Sequence, residues 1–446
     1  MEKKDYYHSV TLDESLCRGC TNCISNCPTE AIRVRDGKAY IITDRCIDCG
    51  ECIRSCPSLA KKAVSDPLDI INKYDFKVAI PAPSLYGQFK EVERPEYILS
   101  ALLEIGFDDV YEVARAAEIV TIATKKMIET NNYPKPLISS SCPAVVRLIQ
   151  ARFPALIDHV IQIQSPMEVA ARVVKKIIHK DKKNIGVFFI SPCPAKVTAV
   201  RSPIGDESSF VDGIIGASTI YLELRTAIKK IKNPTRYSNV SAAGIGWAHS
   251  DGESNAIGAP KSISVDGIQQ VIKVLEQIEN EDIDDIDFVE AMACPGGCVG
   301  GTLNVENTFI ARSALKRVLK ENHNAVLGDE ILKKPGFDLS WTQEIYSKPI
   351  MKLDEDIEIA MQKMEKLDII HKELPGLDCG SCGAPTCRAL AEDIVRGYAE
   401  KSDCIFILKD EIREVAKRMA TLEKKMPSVF KLHETEQNES SKTIND

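Results

Sequence analysis

Apolar positions along this chain change their spacing several times, and each change marks a different kind of element. Near the N-terminus, IRVRDGKAYII alternates apolar and polar residues on both sides of an Asp-Gly pair, which predicts a β-hairpin. From about residue 75, short apolar runs alternate with helical stretches, the texture of an α/β domain. FKVAIPAPS, DDVYEVA and PLISSSC make one group of candidate strands, and NIGVFFISPC, VDGIIGAS and IDFVEAMAC a second. SPMEVAARVVKKIIHK and VDGIQQVIKVLEQIE carry apolar residues at helical spacing between them. Further on, DEDIEIAMQKMEKLDIIHKE and RALAEDIVRGYAE read as helices. Past residue 404, Ile405, Leu408, Ile412, Val415, Met419, Leu422 and Met426 recur at alternating spacings of 3 and 4, a heptad seam ended by Pro427. Two readings of this seam stay open: a helix packed on its own protein, or a parallel dimer. The closing KLHETEQNESSKTIND is polar and is expected to be disordered.

At 446 residues and 44% hydrophobic content, the chain has room for two to four domains with large cores. A net charge of -8 argues against nucleic acid or an anionic membrane as a partner. There is no apolar run of 18 residues, and MEKKDYYHSV lacks the apolar centre of a signal peptide. A cytoplasmic protein is expected.

The 16 cysteines change the picture most. In a reducing compartment such numbers point to metal ligation rather than disulfides. They divide into eight near the N-terminus, four scattered ones (Cys142, Cys193, Cys294, Cys298) and four near the C-terminus. Each set is divisible by four, as four-thiolate iron–sulfur sites require. CRGCTNCISNCP and CIDCGECIRSCP both read C-x2-C-x2-C-x3-C-P. This run resembles that of bacterial two-cluster ferredoxins over residues 9–62, in which the fourth cysteine of each run serves the other cluster. The resemblance assigns Cys17, Cys20, Cys23 and Cys56 to one 4Fe–4S cluster and Cys46, Cys49, Cys52 and Cys27 to the other. A zinc module is the alternative. Each scattered cysteine follows a predicted strand, the place where open α/β sheets bind ligands, so the four can converge. Four buried structural thiols are the plainer alternative.

SSSCP (139–143), SPCPAK (191–196) and EAMACPGGCVGG (290–301) resemble the three signature segments of the FeFe-hydrogenase catalytic domain, in order, over roughly residues 70–340. The resemblance implies that Cys142, Cys193, Cys294 and Cys298 hold a 4Fe–4S cubane. Cys298 would bridge it to a two-iron unit carrying CO, cyanide and a dithiolate, the whole forming the H-cluster. Lys196 then matches the lysine that bonds one cyanide, and Ala82-Pro83-Ser84 the turn facing the second. Met292 matches a methionine packed on the two-iron unit, where a core methionine reads equally well. Paired glycines at 296 and 297 would let backbone approach the metals. The implied chemistry is the reversible reduction of protons to dihydrogen, with the bridging amine as base.

The chain departs from fast members of that family around the proton route. Ser141 stands where they carry a cysteine, and a hydroxyl is far less acidic than a thiol of pKa about 8.5. Ile161 and Met167 fall at a relay serine and a glutamine, the relay glutamates fall near Ala123–Thr124, and Ser191 and Ala199 replace a methionine and a glutamate. Such departures resemble the sensory-type members and imply a slow enzyme. LPGLDCGSCGAPTCRALAEDIVRGYAEKSDC, with Cys379, Cys382, Cys387 and Cys404, resembles the small 4Fe–4S domain found in Rnf-type electron-transport subunits, in corrinoid proteins and behind sensory-type hydrogenase domains, with zinc as the alternative.

The expected architecture has five parts. Residues 1–65 form a small α+β two-cluster ferredoxin domain, and 66–345 an α/β catalytic domain of two lobes with mostly parallel sheets. Residues 346–404 form a linker helix and a small helical 4Fe–4S domain, 405–426 a heptad helix and 427–446 a disordered tail. Three 4Fe–4S clusters plus the H-cluster are the expected cofactors. A ferredoxin-type electron carrier, maturation proteins, dihydrogen and protons are the expected partners, and a signalling partner would carry any output. Three functions stay open: a slow sensory hydrogenase, an ordinary metabolic hydrogenase with another proton route, and a non-enzymatic iron–sulfur carrier without the two-iron unit.

Overall fold

The computed structural model of the chain describes residues 7–130, 133–283, 285–321, 331–332, 337–350 and 352–425. A boundary between residues 351 and 352 divides it into two compact units. The first begins with strands β1 (Val10–Leu12), β2 (Ile32–Arg35), β3 (Lys38–Ile41) and β4 (Lys61–Ala63). β1 pairs antiparallel with β4 and β2 with β3. Asp36 and Gly37 both take positive φ, 50° and 71°, as the two-residue hairpin turn requires.

This module is tied to the rest of its unit by a buried carboxylate. Asp48 Oδ1 accepts the backbone N–H groups of Ser9 at 2.9 Å and Val10 at 3.0 Å, while Oδ2 accepts the Thr198 hydroxyl at 2.8 Å. Ser9 Oγ in turn donates to the Pro194 carbonyl at 2.9 Å. The loop of the second cysteine run therefore lies directly on the segment that follows Cys193.

The remaining strands are β5 (Phe76–Pro81), β6 (Asp109–Val110), β7 (Leu137–Ile138), β8 (Ile185–Ser191), β9 (Gly213–Gly216), β10 (Ser262–Asp266) and β11 (Phe288–Met292). They form two parallel sheets, one of order β6-β5-β8-β9 and one of order β10-β11-β7. The mixed α/β class with parallel sheets is as expected, but the grouping of strands is not. The strand of PLISSSC pairs with that of IDFVEAMAC, while FKVAIPAPS pairs with NIGVFFISPC. A run buried on both faces reads as apolar whichever neighbour it takes, so hydropathy does not choose the partner. DDVYEVA yields a strand of two residues, because the helix Val113–Thr130 starts inside it. β10 went unread because its residues are uniformly half-buried and because VDGIQQ looked helical. Gly267, at φ 80°, turns the chain from β10 into the helix Ile268–Glu279.

In the second unit, the helices Ile357–Glu373 and Cys387–Val395 enclose a core of Leu353, Leu367, Leu374 and Leu390. Asp356 caps the first, accepting from Glu358 N at 2.8 Å. The second is shorter than RALAEDIVRGYAE suggests, because Gly397 at φ 78° breaks it. The helix Ile405–Lys424 carries the heptad residues, which remain exposed, from 41% at Leu408 to 66% at Leu422. Met426, Pro427 and residues 427–446 lie outside the described residues.

Candidate active site

The four scattered cysteines reach one place from both parallel sheets. Cys142 follows β7 and caps the helix Pro143–Arg152, and Cys193 follows β8 and caps the helix Pro194–Arg201. Each helix has proline in its first turn, where no N–H is lost and φ is preset. Cys294 follows β11, and Cys298 opens a short 3-10 turn, Cys298–Gly300. Burial and then the neighbouring Cys142 push the Cys193 thiol up to about 11. Burial followed by Cys193 pushes Cys294 up to about 12, and Cys298 is raised well above the usual range by burial, Cys193, Cys294 and Cys142. The four sulfurs therefore form one mutually repelling set that needs a cation to be thiolates together.

Their spacing bears on which cation fits. A tetrahedral zinc holds sulfurs about 3.8 Å apart, given bonds of about 2.3 Å. Among the described residues, the one group of three ligand atoms within 4.8 Å of one another is His8, Cys46 and Asp48, which includes a single cysteine. No three thiols of any cysteine set lie within 4.8 Å of one another, wider than one zinc ion holds its ligands, and a 4Fe–4S cubane, with its four irons at alternate corners, suits that spread.

Around this set, Lys196 Nζ donates to the Ser141 carbonyl at 2.9 Å. The Ser84 side chain is 1% exposed and its Oγ has no hydrogen-bond partner among the described residues, in a turn, Pro83–Gln88, that is buried throughout. Ala82 and Met292, at the ends of β5 and β11, are also buried. An orphaned buried hydroxyl is costly unless something outside the chain accepts from it, and an anionic ligand of a metal would do so. Gly297, at φ 86°, leaves no room for a Cβ because one would sit 2.6 Å from Ser250 N. What it admits is the 249–250 backbone.

The serines of SSSCP face a residue that sequence reasoning missed. Ser139 Oγ lies 2.9 Å from Ser141 Oγ and donates to Glu253 Oε2 at 2.7 Å, and Ser141 Oγ donates to the same oxygen at 3.2 Å. Glu290, in the E-x-M-A-C segment, accepts from Ser254 N at 2.8 Å and from Ser264 Oγ at 3.3 Å on β10. Thr124, Ile161 and Ile163 line the other side of the narrow cavity at Ser141. Nothing local marks Glu253 as a site residue; DGESN reads as an ordinary loop.

The sequence pattern of the family described as "Iron only hydrogenase large subunit, C-terminal domain" matches residues 75–232 and 217–302, half of the chain. The chain belongs to that family. A 4Fe–4S dicluster pattern matches residues 9–57 and an Fe–S cluster pattern residues 374–406. Iron hydrogenase 1 of Clostridium pasteurianum is 25% identical over 390 residues, 70% of this chain and 67% of that one. The periplasmic iron hydrogenase large subunit of Nitratidesulfovibrio vulgaris is 24% identical over 373 residues, 67% of this chain and 86% of its own. A solved FeFe-hydrogenase of Chlamydomonas reinhardtii covers 64% of this chain and 97% of its own at 16% identity, with a TM-score of 0.48.

Elsewhere in this member of the family, cysteines of the other sets also lie near one another. Cys27 of the first run sits among Cys49 and Cys52 of the second, whose thiols its charge raises. Cys17, Cys27 and Cys56 each accept a backbone N–H, from Ala39, Ala31 and Ala60, at 3.4, 3.2 and 3.3 Å. Cys49 packs with Cys142 and Cys193 in one apolar cluster, so the second run lies nearer the central set. In the second unit, Cys382, Cys387 and Cys404 share one core, while Cys379 is exposed in a loop with positive φ at Asp378, Gly380 and Gly383.

Burial, then repulsion from Glu290, pushes the Glu253 carboxyl from 4.5 up to about 8. A proton held more tightly in the folded chain than in the unfolded one stabilises the fold fully at low pH, and that contribution is lost as pH rises through about 8. Glu253→Gln, neutral throughout, should therefore gain stability on the parent as pH rises from about 5 to about 8, by anaerobic urea unfolding. Parallel pH dependences for the two proteins would show that Glu253 is not held protonated.

Proposed function

We propose that this chain interconverts protons, electrons and dihydrogen at a low rate and uses the reaction to report on hydrogen. What carries the reading is the convergence of Cys142, Cys193, Cys294 and Cys298 beside Lys196 and the orphaned Ser84 hydroxyl. These residues suit the H-cluster, which when bound supplies the redox and hydrogen-binding chemistry. The thiols of Cys142, Cys193, Cys294 and Cys298 would hold it. Lys196 and Ser84 would donate to its anionic ligands. Met292, Ala82 and Pro83 would wall the site against water.

The eight cysteines of the N-terminal module would hold clusters that supply electron exchange with a ferredoxin-type carrier, and Cys49 among them packs against the same apolar core as Cys193. Protons would move between Ser264, Glu290, Glu253 and Ser141. Glu253, with acidity matched to neutral pH, holds the proton, and the Ser141 hydroxyl passes it inward by accepting one and donating another. A hydroxyl is a poor acid, which limits the rate. This network also supports a second reading, an ordinary metabolic hydrogenase with a rerouted proton supply. The C-terminal cluster would be a further electron port or the readout to a signalling partner. Separate maturation proteins would install the two-iron unit. No helix among the described residues is long and apolar enough to cross a membrane, and a cytoplasmic location is part of the proposal.

The exposed seam of Ile405–Lys424 fits a second copy of the chain. Ile405 and Ile412 at a positions, with Leu408 and Leu422 at d, favour two parallel strands, and Arg418 then faces Glu423 of the partner.

The deciding experiment is infrared spectroscopy on protein reconstituted anaerobically with a synthetic two-iron precursor, followed by a hydrogen assay. CO and cyanide bands with slow turnover are expected; iron-loaded protein without bands would make it an iron–sulfur carrier. On the same assay, Ser141→Cys should raise turnover, and Glu253→Gln should lower it by about 10-fold or more. No gain from the thiol would mean that Ser141 is not limiting. By sedimentation equilibrium the chain should be a dimer, and Ile412→Lys a monomer with unchanged iron content. A monomeric parent would leave the seam without this partner.

A further inference from the structure

Lys61, the first residue of β4, turns its ammonium into the N-terminal module. It is 2% exposed, and its Nζ is shielded from solvent without a hydrogen-bond partner among the described residues. The next residue, Lys62, projects outward and pairs with Asp13 at 2.8 Å. The alternation of a strand explains the split, since β4 pairs with β1 and consecutive side chains take opposite faces. The module's buried Arg33 is different, because it donates to the carbonyls of Glu30 and Ile32. An unpaired buried ammonium is costly, and a methionine stem would fill the same space without that cost.

One thiol of each cysteine run feels this charge. It acts on Cys23 of the first run and on Cys52 of the second, lowering each against the rise that burial imposes. Cys23 and Cys52 lie in one core with Val10, Ile24 and Ile32, and Leu12, the β1 partner of Lys61, packs against it, so one buried charge on β4 faces ligands of both runs.

We propose that Lys61 is a counter-ion shared by both iron–sulfur clusters of this module and holds both at a higher reduction potential than their thiolates alone would set. The inference rests on the reading of these eight cysteines as ligands. Four thiolates around an iron–sulfur core leave a net negative charge, and each arriving electron adds to it. A fixed positive charge in a low-dielectric interior favours the reduced form of whichever cluster it faces. Facing ligands of both, it also offsets the repulsion between them when both are reduced. Lys61 is a positioning residue for charge; it need not gain or lose a proton.

The test is an EPR-monitored redox titration of the full chain, reconstituted anaerobically, with the two module signals assigned by their loss in Cys20→Ser and Cys49→Ser. In Lys61→Met both midpoint potentials should move to more negative values, while the signals of the central and C-terminal sets stay in place. If neither cysteine variant removes a signal from the parent, the ligand reading itself is wrong. If the signals are assigned and Lys61→Met leaves both potentials unmoved, the counter-ion role is overturned while the ligand reading stands; movement of one alone overturns the sharing. Should Lys61→Met fail to take up iron, Lys61→Arg decides: loading at parental potentials supports the need for positive charge, and failure of both makes Lys61 a packing residue. In the cluster-free chain, Lys61→Met should unfold at no lower urea concentration than the parent. A lower one would show that the lysine stabilises the fold without any cluster and would count against the proposal.

Discussion

Thiolates repel one another, and burying several of them together is the constraint on which this structure turns. Burial first, and then the neighbouring thiols, raise Cys193, Cys294 and Cys298 above their ordinary range, so they ionise together only around a cation. Two parallel sheets aim their C-terminal ends at the same place and deliver the four side chains from strands far apart in sequence. Helices that start at Pro143 and Pro194 turn their positive ends toward Cys142 and Cys193. Lys196 adds a full charge on the same side. In the N-terminal module, backbone N–H groups and Lys61 play the corresponding part.

The proposed hydrogen chemistry would need protons delivered to the same buried point, and the groups around Ser141 set how they could arrive. Ile161 and Met167 make one approach apolar. The opposite approach holds a carboxyl, and backbone packing places it. Gly252 cannot carry a Cβ, which would lie 1.9 Å from the Gly246 carbonyl oxygen, and Asp251 takes φ 71°. That tight turn presents Glu253 to Ser139 and Ser141. Burial and Glu290 then keep its proton available near neutral pH.

The link between modules follows from the same demand for satisfied polar groups. Asp48 is buried with both oxygens engaged, by Ser9 and Val10 on one side and Thr198 on the other. Removing the carboxylate would strand N–H groups in an apolar interior. The contact also holds the Cys46–Cys49 loop against the segment after Cys193, where Gly50 packs so closely that a Cβ would meet Thr302 at 2.7 Å.

Ligand spacing is local, so the cysteine runs, the hairpin between them, the segments around Cys142, Cys193, Cys294 and Cys298, and the family were legible in the sequence. A metal set by adjacent ligands needs fixed short intervals. The α/β class was legible for a similar reason, since burial sets the period of apolar residues. Strand partners were not, because parallel neighbours are joined by crossovers of any length. Nor was the acidic partner of Ser141, which lies 112 residues away, or the Thr198 partner of Asp48, which lies 150 away. Whether Lys61 faces water or two sets of thiols is likewise a matter of how β4 is turned in its sheet. Covalent neighbours decide which atoms can bind a metal. Proton paths and counter-charges act through space, and only the folded chain brings their members together.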